Sequence, residues 1–178
     1  MIWESAYWKE EILRQAEDLK RRTTQTKWSE RSLARLEKTI MIGFYSIRKL
    51  FEAKKVSDAI RGTSLRIMKF PPTGKPVTLM NWHHAEKLYR LDKPEVVTMA
   101  LQPLSSIFIH SYTFLPVHDV AGGLESVLVN SDRTRTDGLF RVDTKEIIRV
   151  FSLVAADDPS ESRMVFDHET GDYKVSLS

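Results

Sequence analysis

The spacing of apolar residues changes along this 178-residue chain, and the change constrains the fold more than any other feature. Over residues 1–62 apolar side chains recur every three or four positions, the period of one face of an α-helix. After residues 121–123 short β-branched runs alternate with turn residues, as in hairpins. This order predicts an α+β fold, with N-terminal helices packed on a small antiparallel sheet built from C-terminal hairpins around one further helix.

Two long helices are predicted in the first third of the chain. Ser5 is the expected cap of the first helix, and Ser29 is the expected cap of the second, with Trp28 and Leu33 placed as a hydrophobic staple. The second helix is apolar on nearly every side around residues 40–47, so we expect other elements to cover several of its faces. The apolar face of the first helix is formed by Trp8, Ile12, Ala16 and Leu19.

The middle of the chain is less regular. A short strand over residues 65–70 must stop at the prolines that follow, Asn81 is a candidate cap of a helix over 82–91, and Pro94 a candidate first residue of another. Residues 97–115 fit either a helix kinked at Pro103 or, over 107–114, a strand. We favour the helix, which makes residues 63–118 mixed but mostly helical. In both interpretations His110 and Phe114 share a side.

The last third contains two predicted hairpins with a helix between them. The first pairs residues 125–130 with 139–142, Asp143 caps the helix, and the second hairpin pairs 164–167 with 172–177. We expect one domain over 1–178, organised as a helical hairpin (1–62), the mixed segment (63–118), and a hairpin, helix and hairpin (119–178).

The charge is divided unequally between the two parts of the chain. Residues 1–118 hold 20 Lys and Arg against 12 Asp and Glu, whereas residues 119–178 hold 7 against 12. The formal net charge of +3 therefore conceals a basic front and an acidic back. Without cysteine the chain has neither disulfides nor a thiolate nucleophile, and without a signal-like start or a long apolar run we expect a cytoplasmic protein that spans no membrane.

Three runs carry a resemblance: residues 3–9 (WESAYWK), 35–50 (RLEKTIMIGFYSIRKL) and 108–114 (FIHSYTF). They resemble small bacterial proteins usually labelled hypothetical, over most of the chain. The resemblance implies a bacterial cytoplasmic origin and no assigned activity, so no functional residues follow from it.

Two weak catalytic hypotheses arise from the residues. His110 lies among aromatic residues and is expected to be a packed, hydrogen-bonded core histidine, or else an acid or base assisted by Tyr112. Asp143 and Lys145 follow a strand and, with Asp132 or Asp137, resemble the Asp-x-Lys core of a Mg²⁺-dependent nuclease. The competing interpretation is that Asp143 only caps the next helix.

Basic residues supply the remaining candidate site. Arg133 and Arg135 lie at a predicted hairpin tip with a threonine between them, a pattern suited to phosphate contact. Acidic neighbours also allow a solvated, salt-bridged surface instead. The main cluster surrounds the turn between the first two helices: Lys20, Arg21, Arg22, Lys27, Arg31, Arg35 and Lys38.

The sequence therefore predicts a non-catalytic protein-interaction or regulatory module, in which the acidic back or the aromatic front docks a protein partner or a second copy of itself. A nucleic-acid-binding accessory protein that uses the basic cluster is the alternative, and a nuclease or hydrolase ranks last. We expect no metal and no cofactor.

Overall fold

A computed structural model describes residues 2–177, and within them six helices and seven strands confirm the α+β prediction. The helices are α1 (Ala6–Arg22), α2 (Glu30–Glu52), α3 (Asp58–Arg61), α4 (Ala85–Leu88), α5 (Leu101–Ile109) and α6 (Thr144–Ala156). The strands are β1 (Ser64–Phe70), β2 (Glu95–Ala100), β3 (Ser111–His118), β4 (Leu124–Ser131), β5 (Leu139–Asp143), β6 (Ser162–Asp167) and β7 (Asp172–Leu177).

The first helix, α1, begins and ends where the sequence predicts. Ile12 and Leu19 are fully buried, and Trp8 at the start of the same face is partly buried. The cap differs in one detail, because the Ser5 side chain makes no capping hydrogen bond. Instead the Glu4 carboxylate accepts the backbone N–H of Ala6 at 2.9 Å.

The second helix, α2, has the predicted cap and the predicted central position. Ser29 and Ser32 form a reciprocal capping box, each side chain accepting the backbone N–H of the other residue. Phe44 is fully buried and stacks on Phe108 of α5, with ring centroids 4.2 Å apart. At Gly43 a Cβ atom would lie 2.2 Å from the Phe151 ring, so the glycine lets α6 approach.

The five-stranded sheet is antiparallel throughout, with the strand order β2-β1-β5-β4-β3. Its apolar residues Leu65, Val127 and Val142 belong to one core with the buried faces of α1, α2, α5 and α6. On its other face a smaller core joins Phe70 and Leu139 to the segment over residues 77–89.

The prediction for the middle of the chain was wrong in most of its helices. Only four residues of the expected helix over 82–91 are helical, and the Asn81 carboxamide accepts the Thr78 backbone N–H at 2.7 Å in a turn instead of capping it. Pro94 precedes a strand, β2, and not a helix. Pairing with β1 determines that residues 95–100 form a strand, and such long-range pairing is not visible in the local spacing of apolar residues.

The predicted helix over 97–115, kinked at Pro103, is instead strand, helix and strand. Residues 95–100 form β2, α5 covers 101–109, and β3 begins at Ser111. Pro103 lies in the first turn of α5, where backbone N–H groups have no intrahelical acceptor. A proline there removes no hydrogen bond of the helix, so α5 needs no kink. The mostly helical segment 63–118 thus supplies three of the five strands.

In the last third, both hairpins and the helix between them form as predicted. Asp143 is the residue before α6, although its side chain makes no capping hydrogen bond. The predicted sheet composition needs correction, because β6 and β7 form a separate two-stranded sheet and only the first hairpin joins the larger one.

Candidate functional site

Three residues of the basic cluster are held by carboxylates of their own helix. Lys20 pairs with Glu17 at 3.7 Å, and Arg21 pairs with Asp18 at 3.1 Å. Arg22 is buried, and its Nε lies 2.7 Å from an Asp18 oxygen. These three cations therefore stabilise the end of α1 and contribute little to a surface that binds an anion.

The other four residues of the cluster are exposed and make no ion pair within residues 2–177: Lys27, Arg31, Arg35 and Lys38. Arg31, Arg35 and Lys38 lie on one face of α2, because positions i, i+4 and i+7 share a helical face. We call these four residues the basic stripe.

The two arginines of the predicted hairpin tip have different environments. Arg133 is exposed. The Arg135 guanidinium lies over the Tyr112 ring, 4.2 Å from its centroid, pairs with Asp132 at 3.1 Å and donates to the Val77 carbonyl. Arg135 therefore holds the loop in place and does not present its charge to a ligand.

His110 is exposed, so the prediction of a packed core histidine was wrong. It follows the last residue of α5, in the corner between helix and strand, whereas Phe114 packs against the helical core. Its ring makes no hydrogen bond or ion pair within the described residues 2–177. Tyr112, the expected helper, contacts Arg135 instead.

His110 and Arg133 nevertheless line one cleft of about 690 Å³, which Arg48 also borders. Arg48 is already engaged by Glu52 at 2.9 Å and by the Ser106 hydroxyl at 3.1 Å. Asp132 and Asp137 lie in the same wall. The cleft therefore combines charges of both signs, and in the part of the chain that the structure describes no side chain orients the His110 ring as a base.

The carboxylates of the nuclease hypothesis are spread along one strand. Asp143 is the last residue of β5, whereas Asp137 lies two residues before its first, so a five-residue strand of roughly 15 Å lies between them. Asp137 pairs with Lys69 at 2.8 Å, and Lys145 is exposed on the first turn of α6. Within residues 2–177, no three His, Asp or Glu side chains are grouped as metal ligands. This arrangement favours the helix-start role of Asp143.

The sequence did not locate a cleft of about 700 Å³ between the start of α1, the end of α2 and the C-terminal hairpin. We call it the aromatic cleft. Trp3 is 97 % exposed, and the Trp8 and Tyr45 rings lie with centroids 6.5 Å apart. The sequence signal that could have indicated this cleft is the alternation of apolar residues in the second hairpin. The apolar residues of its lining are Ile2, Trp3, Trp8, Tyr45, Ala53, Tyr173 and Val175.

A buried polar network lies beneath Arg135. The Tyr89 hydroxyl donates to the Arg135 carbonyl at 2.9 Å and accepts from the Asn130 carboxamide at 2.6 Å. Tyr89 is almost completely buried, and this burial raises the pKa of its hydroxyl above the ordinary value, although Asn130 opposes the shift. The network connects the segment over 77–89 to β4 and is structural.

Comparison of the chain with protein-family models, curated proteins and solved structures finds no match. None of the helices in the described part of the chain combines the length and the apolarity needed to cross a membrane.

Proposed function

We propose that this chain is a non-catalytic protein-interaction module and that a partner protein docks at the aromatic cleft. The observation that carries the proposal is the exposed apolar face of the C-terminal hairpin. Met164 lies opposite Val175 and Phe166 opposite Tyr173, so all four side chains share one face. Met164 is 63 % exposed, Phe166 43 % and Tyr173 57 %. Since Tyr173 and Val175 line the cleft, this face extends it.

The hairpin has physical reason to be covered. An isolated two-stranded sheet is marginally stable in water, and β6 and β7 do not pair with the larger sheet. A partner that covers the apolar face of the hairpin removes that area from water, which contributes about 25 cal/mol of favourable free energy for each Å² buried. Aromatic side chains such as Trp3 and Tyr173 dominate the energetics of protein interfaces.

The charges at the cleft specify the chemistry of the partner. Lys49 and Lys54 are balanced by Glu52 and Asp172, and Lys49 already bonds Glu52 at 2.8 Å. A neutral rim gives little electrostatic steering, so apolar contacts must supply the affinity. The partner is therefore a protein segment that presents apolar side chains, and its binding should depend weakly on salt.

Site-specific photo-crosslinking tests the proposal. A photoreactive phenylalanine analogue replaces Trp3, and the matched control carries it at Val120, which is fully exposed in the loop after β3. Gly122 of the same loop lies against Thr26, which follows α1, whereas Trp3 precedes that helix. We expect one discrete adduct in host cells from position 3 and none from position 120. The Tyr173→Lys substitution, or an excess of unlabelled parent protein, should abolish the adduct. Equal labelling from both positions, or an adduct insensitive to Tyr173→Lys, would reject docking at the cleft.

The basic stripe favours a second candidate function, nucleic-acid binding, because its cations are exposed and unpaired within the described residues. Replacing Arg31, Arg35 and Lys38 with Gln should then weaken binding and lower the salt dependence by up to about three phosphate contacts.

The matched control replaces Arg14, Lys20 and Arg21 with Gln, which removes the same charge from cations that α1 carboxylates already pair. Fluorescence anisotropy with single- and double-stranded oligonucleotides measures both variants. If the two triple variants bind equally, or the parent fails to bind at low salt, the stripe is not a nucleic-acid site.

A further inference from the structure

The five-stranded sheet has one edge that is open to pairing. Among residues 2–177, β2 is hydrogen-bonded to β1 alone, so half of its backbone N–H and C=O groups point outward. Its side chains are exposed or only partly buried, with Val96 at 62 %. Its sequence, EVVTMA, has high strand propensity and contains neither proline nor lysine.

The opposite edge is protected by comparison. β3 contains Pro116, which donates no hydrogen bond, and two register shifts interrupt its pairing with β4. The pairing of β2 with β1 runs without interruption from Glu95 to Ala100. A regular edge of this kind is a template for another strand, and natural proteins usually block such edges.

We propose that β2 pairs antiparallel with β2 of a second copy of the chain, which joins the two sheets into one. The strand is complementary to itself about Thr98. With Thr98 on the two-fold axis, Val97 lies opposite Met99 of the second copy, Val96 lies opposite its Ala100, and the two Thr98 side chains face each other. Every pair is then apolar with apolar or threonine with threonine, which are favourable cross-strand combinations.

The geometry selects this register. If the helices of both copies lie on the same side of the joined sheet, a given residue must point to the same face in both copies. Since opposite residues of an antiparallel pair share a face and successive residues alternate, one residue must then lie opposite its own counterpart on the axis. An axis at Val97 would place the Glu95 carboxylate against Met99, and an axis at Met99 would pair only residues 98–100 of the strand. The axis at Thr98 pairs residues 96–100 and leaves Glu95 outside the pairing. The two Arg66 side chains, which neighbour Thr98 on β1, would be three strand spacings apart, about 14 Å. That separation exceeds the Debye length of about 8 Å.

This pairing is independent of docking at the aromatic cleft, because the cleft is built from α1, α2 and the C-terminal hairpin. Either interaction can fail experimentally without the other.

A charge-complementation experiment tests the pairing and its axis. Thr98→Lys and Thr98→Glu are made as separate proteins, and their masses in solution are measured by light scattering over micromolar to submillimolar concentrations. The parent should be a dimer, and each variant alone should associate at least ~tenfold more weakly, since like charges meet on the axis. An equimolar mixture should restore a dimer, which native mass spectrometry identifies as containing one copy of each variant.

Controls separate pairing from folding. Thr98 is exposed, so both variants should melt like the parent, and Thr136→Lys and Thr136→Glu, in the exposed loop before β5, should remain dimers. A monomeric parent, a Thr98 variant that stays dimeric, or two folded variants that do not combine would overturn the proposal.

Discussion

The guanidinium of Arg135 lies over the ring of Tyr112, 4.2 Å from its centroid, and this contact links a loop, a strand and an irregular segment. Arg135 belongs to the turn between β4 and β5, and Tyr112 belongs to β3. The same guanidinium donates to the Val77 carbonyl, while the Arg135 carbonyl accepts from Tyr89. One residue thus fixes three segments whose sequences give no sign of being neighbours.

Replacing Arg135 with Gln should lower the free energy of unfolding by about 1–3 kcal/mol, because the cation–π contact and a charged hydrogen bond are both lost. Arg133→Gln, two residues away and exposed, is the control and should change it by less than about 0.5 kcal/mol. Urea denaturation measures both. Equal effects of the two substitutions would show that the contact contributes nothing.

The contact between Gly43 and Phe151 gives a second prediction. Gly43→Ala would place a methyl group where the Phe151 ring lies, so it should destabilise the protein by about 1–3 kcal/mol despite the better helix propensity of alanine. Gly62→Ala is the matched control, since its Cβ would lie 3.4 Å from the nearest atom and its φ is negative. Thermal melts should show a large loss for the first variant and a small gain or no change for the second. A stable Gly43→Ala variant would mean that α6 is free to move away from α2.

The helices α1 and α2 could be predicted because their signals are local. Caps and an apolar stripe lie within a single stretch of sequence, and the ion pairs Glu10–Arg14 and Asp18–Arg22 join residues four positions apart on α1. The β4–β5 hairpin was predictable for the same reason, since a turn-rich loop separates its strands.

The strand β2 could not be predicted because its partner is distant in sequence, and β3 could not be told from a helix by local spacing. β3 pairs with the following strand, but β2 lies beside β1 across some 25 residues that form no long element. The residues of β3 also continue the helical spacing of α5, which ends only because the chain turns at His110. The environments of His110 and Arg135 were mispredicted for the same reason, because the exposure of His110 and the partners of Arg135 depend on that turn.

The Tyr89 hydroxyl predicts a pH dependence. Because burial raises its pKa above the ordinary value of about 10, the unfolded chain loses this proton at a lower pH than the folded protein. The stability that Tyr89 contributes is thus complete below pH ~10 and is lost as the pH rises through the raised pKa.

Tyr89→Phe isolates this contribution. At pH ~8 the variant should be about 1–3 kcal/mol less stable, because the Arg135 carbonyl loses its donor and the Asn130 carboxamide an acceptor. The difference between parent and variant, measured by urea denaturation, should shrink above pH ~10. A difference that stays constant with pH would show that Tyr89 titrates alike in both states.

The last prediction concerns His110 and catalysis. Because His110 is exposed, His110→Ala should change the free energy of unfolding by less than about 0.5 kcal/mol. Phe108→Ala, two residues earlier on the same helix, is the control: it empties a fully buried site stacked on Phe44 and should cost about 3–5 kcal/mol. Nuclease, phosphatase and esterase assays with and without Mg²⁺ or Mn²⁺ should find no activity in the parent, since the His110 ring is not oriented by a carboxylate within residues 2–177. A parental activity that His110→Ala abolishes while the melt stays unchanged would establish the chain as an enzyme.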